Sequence, residues 1–531
     1  MKHTLLFTAF MFLFFQCALA QNYILDNTFG TTGEIINPAI QSGQYIQLQS
    51  DGKIMGCYLS NYSTAGNVHL ARFNVDGSID TSFGTNGYLS TNVVNETGGH
   101  SMMKIQSDGK ILVTGSKFNS SISKYLFMTN RYNTDGSIDT SFGINGSAIT
   151  NIGASTNDFS FGIDIQTDGK ILVVGYSSFA GNDDTSIVRY LSTGQLDTSF
   201  AVNGVFTYNF GTCSIPNHGI YSNDLGEDVK VNSVGKIIVG VTTDVNESVA
   251  HNGEHGFFCL NSDGTLDTSF GNNGQKVVDY GGISSLEVLK LTADDKIIAT
   301  GEHDYWVGTN QFANIAIVKL LSNGNYDTSF GTNGIVITNY SATSLGEVIH
   351  DLCIQPDGKI ICLGNAADAS GLFADFLLVR FNTDGTIDTT FNSVGYLKVN
   401  FNNTSSIGNS LLIQNDGKLL CSGEFITSSS SSVCMARLEI DNLSTTNFDS
   451  NNNITISPNP FKDSITISTK DINLSLATIE LYDISGRKIS NFTTENTNNF
   501  TFSINSNLSK GNYFLKITDQ QTTQTFKLIK E

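Results

Sequence analysis

The segment His251-Asn252-Gly253-Glu254-His255 spells H-x-x-E-H, letters with which two histidines and a glutamate serve a zinc protease. That chemistry needs a helix to bring both imidazoles to one side, and Gly253 with the strand-like pattern around it denies the helix. What remains is a loop that contacts a metal or ligand, or a solvated loop with neither. The corresponding loop of the next repeat, Glu302-His303-Asp304-Tyr305-Trp306, holds the only tryptophan. Together the histidines, acids and Tyr305 could bond hydroxyl groups while the indole offers a flat apolar surface to a sugar ring. Packing against a neighbouring loop is the plainer role. An insertion at 209–228 adds Cys213, His218, Tyr221, Asp224, Glu227 and Asp228 on the same side. No Ser-His-Asp spacing, phosphate loop or recognisable acid pair occurs. The expected site is noncatalytic, without metal or cofactor, and its ligand contacts are Trp306, Tyr305, His303, Asp304, His251, Glu254 and His255.

A second set of charged residues recurs. Arg72 precedes Asp80 by eight positions, and Arg131/Asp139, Arg189/Asp197, Lys319/Asp327 and Arg380/Asp388 keep that offset, whereas Cys259/Asp267 breaks it. Pairing outward from the turn Val75-Asp76-Gly77 sets Phe73 against Ile79 and Arg72 against Asp80, so a cation meets a carboxylate across a hairpin. Such pairs contribute roughly 0.2–1 kcal/mol each, more when bidentate. Catalysis normally needs a site once, so identical pairs in nearly every repeat read as structure. The turn also imitates a calcium loop at Asn74, Asp76 and Gly77, but the first and twelfth positions fall on Arg72 and Phe83, which cannot ligate calcium.

Two phrases position these residues. One is LDTSFGxNG, with its phenylalanine at Phe29, Phe83, Phe142, Phe200, Phe270, Phe330 and Phe391, recurring about every 60 residues. The other is QxDGKI, as in Gln106–Ile111, Gln166–Ile171 and Gln355–Ile360. Asp-Gly suits a type I turn with glycine in the left-handed region, and alternating apolar residues on both sides read as antiparallel strands. QxDGKI joins strands A and B; the turn before LDTSF joins C to D. Four strands per repeat, with no helical period, predict an all-β chain: a seven-bladed β-propeller over 21–440 followed by a small C-terminal β-sandwich. A stacked solenoid is the alternative. All the Asp-Gly turns fall on one face and the variable loops on the other, where binding residues are most often displayed. The two phrases resemble those of the delta-60 repeat family, which implies a propeller. The chain opens on a D phrase, Leu25–Phe29, and ends its repeats on a C strand, Val433–Glu439, so the expected closure sets Asp26 against Arg437. In the competing register the run after FGTNG is the innermost strand, every blade is local, and Asp26 lies far from Arg437.

The ends carry addresses. Lys2, an apolar run and Ala18-Leu19-Ala20 form a signal peptide over 1–20, too short for the ~20 residues of a membrane span. A polar linker is expected at 441–453. Residues 454–531 contain SPNPFKDSITI, LYDISGRKI and LSKGNYFLKI, which resemble the C-terminal sorting domain of type IX secretion cargo in Bacteroidetes. That resemblance implies the type IX machinery as partner and a secreted or outer-surface location. A net charge of −20 argues against nucleic acid. The cysteines after Ala20 are odd in number and read as buried thiols, with a Cys421–Cys434 bridge as the alternative. The function this supports is a noncatalytic surface propeller that binds a glycan or extracellular polymer. Alternatives are a propeller enzyme acting on polysaccharide and a surface scaffold.

Overall fold

A computed structural model describes residues 21–441 and 454–530, apart from 41–42, 60–65, 96–101, 154–155, 180, 212, 216–218, 222, 245–252, 283, 308–309, 341–345, 368–373, 403, 429, 470–473, 475–476, 484–486, 496–497, 505–507 and 519–522. The proposed signal peptide and nearly all of the linker therefore lie outside the described residues. The chain divides into two units, Met1–Ile440 and Asp441–Glu531.

In the first unit each QxDGKI turn joins two strands. The third repeat shows the plan: A (Asp158–Ile165), B (Ile171–Phe179), C (Asn182–Tyr190) and D (Val205–Tyr208) form one antiparallel sheet in that order. The A strands of the first to seventh repeats are Gly43–Leu48, Met103–Ile105, Asp158–Ile165, Asp224–Val231, Leu286–Leu291, Glu347–Ile354 and Ser405–Ile413. Successive A strands lie against one another around a central axis, and the seventh lies against the first. This is a β-propeller. Repeats one and two share a sheet because the D strand Tyr88–Asn95 continues past its own repeat to bridge Val94 to Ser116 in the next. The core lies between sheets: Phe29, Phe83, Phe142, Phe200, Phe330 and Phe391 are fully buried, each worth about 1.5–3 kcal/mol of burial.

The fourth strand is not the LDTSF phrase. Asp80 Oδ1 accepts bonds from Ser82 N at 3.1 Å and Ser82 Oγ at 2.6 Å, which turns the chain after a single bridge between Phe73 and Ile79. The D strands are instead the runs after FGxNG, such as Gln275–Val278, and they are the outermost strands, not the innermost. The last repeat closes as expected, with Asp26 against Arg437, but its D strand is not the expected phrase. Tyr23–Leu25 and Glu34–Asn37 both pair with the C strand Ser431–Ile440, with Leu25 opposite Leu438 and Glu34 opposite Ala436. Arg437 Nε stands 2.7 Å from Asp26. The N-terminus thus completes the seventh repeat, but through the run after Phe29-Gly30-Thr31-Thr32-Gly33.

Cys421 and Cys434 are free and buried. Strand register sets them opposite Ala436 and Gly423, so no bridge joins them. The second unit is a two-sheet sandwich, one of three strands and one of four, around Phe461, Ile465, Ile467, Leu481, Leu515 and Leu528.

Candidate functional site

At the turn end of the sheets six of the seven repeats build one clamp, an aspartate between two cations. Asp80 takes Arg72 at 2.7 Å and also Lys53, the lysine of the A–B turn, at 2.8 Å. Asp139 takes Arg131 at 2.7 Å and Lys110 at 2.9 Å, Asp388 takes Arg380 and Lys359 both at 2.7 Å, and Asp26 takes Arg437 and Lys418 at 2.7 and 2.6 Å. Asp197 has Arg189 at 2.8 Å and Lys170 at 3.6 Å; Asp327 has Lys296 at 3.1 Å and Lys319 only at 3.9 Å. Where Cys259 replaces the arginine, Lys236 alone serves Asp267. The lysine partner was missed in the sequence, although it is the one charge common to all seven A–B turns, including the looser copies at 232–236 and 292–296. Burial by itself would raise the Asp80 carboxyl, but bonds from Lys53 and Ser82 and the Arg72 charge outweigh it and hold the group far below its ordinary value. The same balance leaves Asp388 at about 2.

The clamp also locks repeat to repeat. Arg72 lies over the Phe83 ring at 4.9 Å, and its Nη1 donates to Thr134 O in the next repeat's C–D turn. Gly136 of that turn has φ +88°, and a Cβ there would meet the Phe83 ring at 3.0 Å, so only glycine fits. Asp76 closes its own turn through Ser78 N at 3.0 Å and Ser78 Oγ at 2.7 Å. The clamp's charges are spent on structure.

Around the axis, side chains of the A strands stitch each strand to the next. Gln47 bonds Met103 O at 3.1 Å and Ile105 N at 2.9 Å; Lys104 meets Asp164 at 2.7 Å; Asp164 accepts from Val231 N at 3.0 Å; Asp228 accepts from Leu289 N at 3.3 Å. Lys290 meets Asp351 at 3.0 Å, Asp351 accepts from Leu411 N at 2.8 Å, and Ser410 accepts from Ile46 N at 3.3 Å, which closes the ring. These residues were not singled out from sequence. The position occupied by Gln47, Lys104, Asp164, Lys230, Lys290, Cys353 and Leu412 changes identity in almost every repeat, so no repeated letter marks it.

The opposite end is different. Six A strands carry a bulge at the same step, which leaves one residue without a cross-strand partner; Phe161, Glu227, Glu287, His350 and Asn409 occupy five of these steps. Bulges re-aim side chains and gather at functional rims. Between repeats five and six the Ser285 hydroxyl lies 3.4 Å from both Glu287 and Glu302, and His350 lies 3.5 Å from Glu287 and 3.1 Å from Asn365 Oδ1. Burial, then the charges of Asp304 and Glu287, push the Glu302 carboxyl up to about 7 against the opposing effects of His350 and Ser285.

The structure redistributes the expected ligand contacts. Glu254 and His255 are not on a loop: they open the C strand Glu254–Leu260, and both are buried. Pairing of Thr243 with Glu254 and Thr242 with His255 carries the sheet through this segment. His255 bonds Tyr280 at 3.0 Å and Ser285 O at 2.9 Å, and burial lowers its pKa to about 4. It is a core histidine. His251 lies outside the described residues. His303, Asp304, Tyr305 and Trp306 likewise belong to a strand, Ile297–Val307, because the B–C hairpin of repeat five continues to Val307 opposite Asn310. His303 and Asp304 are buried. Asp224 and Asp228, read as part of an insertion, are buried in an A strand: Asp224 accepts from Phe210 N at 2.9 Å and Asp228 joins the stitching. Among the described residues no group of three or more His, Cys, Asp and Glu is arranged to hold a metal ion, and no helix is long and apolar enough to cross a membrane.

Fold and site define a repeat β-propeller, structural at one end of its sheets and unrepeated at the other, with a separate β-sandwich tail. Stretches at 49–83, 106–142, 166–200, 235–270, 279–330 and 355–391 match the family described as "Domain of unknown function (DUF5122) beta-propeller", and 455–531 match "Secretion system C-terminal sorting domain". The chain is a propeller of that repeat family bearing a type IX sorting domain, which sends it to the cell surface or beyond. No curated protein matches it. Similar solved structures include PorZ, described as an essential bacterial surface component of the type-IX secretion system of Porphyromonas gingivalis, at 11% identity and TM-score 0.39, covering 92% of this chain and 59% of that one. The polysaccharide lyase Uly1 is similar at 11% identity and TM-score 0.42, covering 75% and 90%. The β-propeller domain of the Trilobed protease from Pyrococcus furiosus gives 9% identity and TM-score 0.36, covering 76% and 95%.

Proposed function

We propose that this is a noncatalytic surface-binding propeller whose ligand is a neutral glycan or other hydroxyl-rich extracellular polymer. The observation that carries the reading is the unrepeated rim of Ser285, Glu287, Glu302, His350 and Asn365, set against a turn end whose clamp aspartates are each paired with a cation. Such a rim offers donors and acceptors to hydroxyls, while its acids and the net charge of −20 disfavour polyanions. Trp306, in the hairpin of repeat five next to this rim in sequence, supplies the stacking surface. A glycan array probed with the full secreted chain tests it. Neutral glycans should bind, and Trp306→Ala should weaken binding by about 2 kcal/mol, as for an aromatic hot spot. Binding confined to polyanions, or lost in Asp76→Asn rather than Trp306→Ala, sinks the proposal.

One observation favours a second reading. An acid that titrates at about 7 beside a second glutamate suits general acid catalysis on a polysaccharide. Release of new chain ends by the wild type, abolished in Glu302→Gln, would establish this reading in place of the first.

A further inference from the structure

The two places that build the polar rim recur in repeat three with different residues. One is the A-strand residue that the bulge leaves without a partner: Glu287 in repeat five, His350 in repeat six and Phe161 in repeat three. The other follows the glycine paired with the residue before the bulge, and it holds Glu302, Asn365 and Tyr176 in the same three repeats. In repeat six the two places bond at 3.1 Å, and in repeat three their rings pack with centroids 5.6 Å apart. The rings continue outward. Tyr176 lies 5.5 Å from Phe159, Phe159 lies 4.9 Å from Tyr125, and Tyr125 lies 5.2 Å from Phe118, its cross-strand partner in the B–C hairpin of repeat two. Phe159, Phe161 and Tyr176 are buried, with Leu225 of repeat four packed on them, whereas Phe118 is 49% exposed.

We propose that this aromatic ladder is a second stacking subsite of the loop-end rim, and that its ligand is an oligomeric neutral glycan held by the polar sector at one point and by Phe118 at another. The proposal rests on the glycan reading above. The two sectors answer the two chemistries of one sugar chain: hydroxyls bond to the acids, His350 and Asn365, while the C–H face of a sugar ring packs on an aromatic ring. A hydrophobic protein segment would match the rings and leave the polar sector unmet. Repeats three and four stand between Phe118 and Glu302, so a single sugar unit meets only one sector. The ladder is also fixed in advance. Tyr125 N donates to Asn157 Oδ1 at 3.0 Å, and the buried Lys124 beside it meets Asp158 at 3.3 Å. A half-exposed ring backed by four others loses little freedom when a sugar stacks on it.

The test is binding of the full secreted chain to an array of neutral glucans, mannans and galactans in graded lengths, from a single unit to polymer. Affinity of the wild type should grow with chain length. Phe118→Ala should weaken the longest bound member by about tenfold or more and leave the shortest bound member unchanged. Phe118→Tyr, which keeps a ring, should restore the gain with length, and thermal melts equal to the wild type's show that both variants are folded. Binding that responds to Trp306→Ala but not to Phe118→Ala at any length overturns the subsite and leaves the glycan reading standing. Loss in Phe118→Ala at every length overturns the division into two sectors. Failure of every neutral glycan to bind overturns both the subsite and the reading it rests on.

Discussion

The two ends of the propeller's sheets bury acids to opposite effect. At the turn end Asp26, Asp80 and Asp139 are at least nine-tenths buried yet held far below the ordinary carboxylate range. At the other end Glu302 rises to about 7, and His255 falls to about 4. Burial acts against the charged form in every case, so the partners decide the direction: two cations for each of Asp26, Asp80 and Asp139, two more carboxylates for Glu302. Where the chain copies its phrase it copies the counter-charge too. Where it departs from the phrase the burial goes uncompensated, and Glu302 is pushed up toward neutrality.

The comparison can be broken most severely at the seam. Asp26→Ala strands Arg437 and leaves Lys418 only Glu439, and the expected loss is about 3–5 kcal/mol by urea denaturation. A loss no larger than that of an exposed turn aspartate would show that the clamps contribute nothing special. Glu302→Gln sharpens the contrast, because its sign is reversed. The folded pKa of Glu302 lies above the ordinary glutamate value of 4.5, so its penalty is absent below that pH and complete once pH exceeds about 7. The substitution should therefore stabilise the protein by roughly 1–2 kcal/mol at pH 8 and by nothing measurable at pH 4, read from thermal melts at both. A gain at pH 4 that equals the gain at pH 8 would remove charge as the cause. Smallest is Asp76→Asn, which changes an exposed turn and should shift stability by no more than about 0.5 kcal/mol.

Much of this architecture was legible because the repeat is legible. The offset between Arg72 and Asp80 follows from turn geometry alone, and Phe83 reads as core because it recurs where a wedge is needed. The D strand was misread for a physical reason: Ile79 does pair with Phe73, so the phrase begins like a strand, and only the side chain of Asp80 bending back to Ser82 ends it. The stitching residues Lys104, Asp164, Lys290 and Asp351 escaped notice because each junction is satisfied by a different pair. His255 and Glu254 were read as loop because hairpin length is set by neighbours such as Tyr280 and Ser285, distant in sequence. The rim around Glu302 depends on bulges, and a bulge leaves no letter of its own.

The seam between Asp26 and Arg437 joins positions 411 residues apart. Chain-entropy scaling puts the cost of bringing such distant points together at about 5 kcal/mol, which places their meeting late in folding, after the local hairpins have formed. Until then the C strand of repeat seven has an open edge, a template for another chain's strand. The order of synthesis thus matters: the segment that must shut the circle is made first and waits longest for its partner.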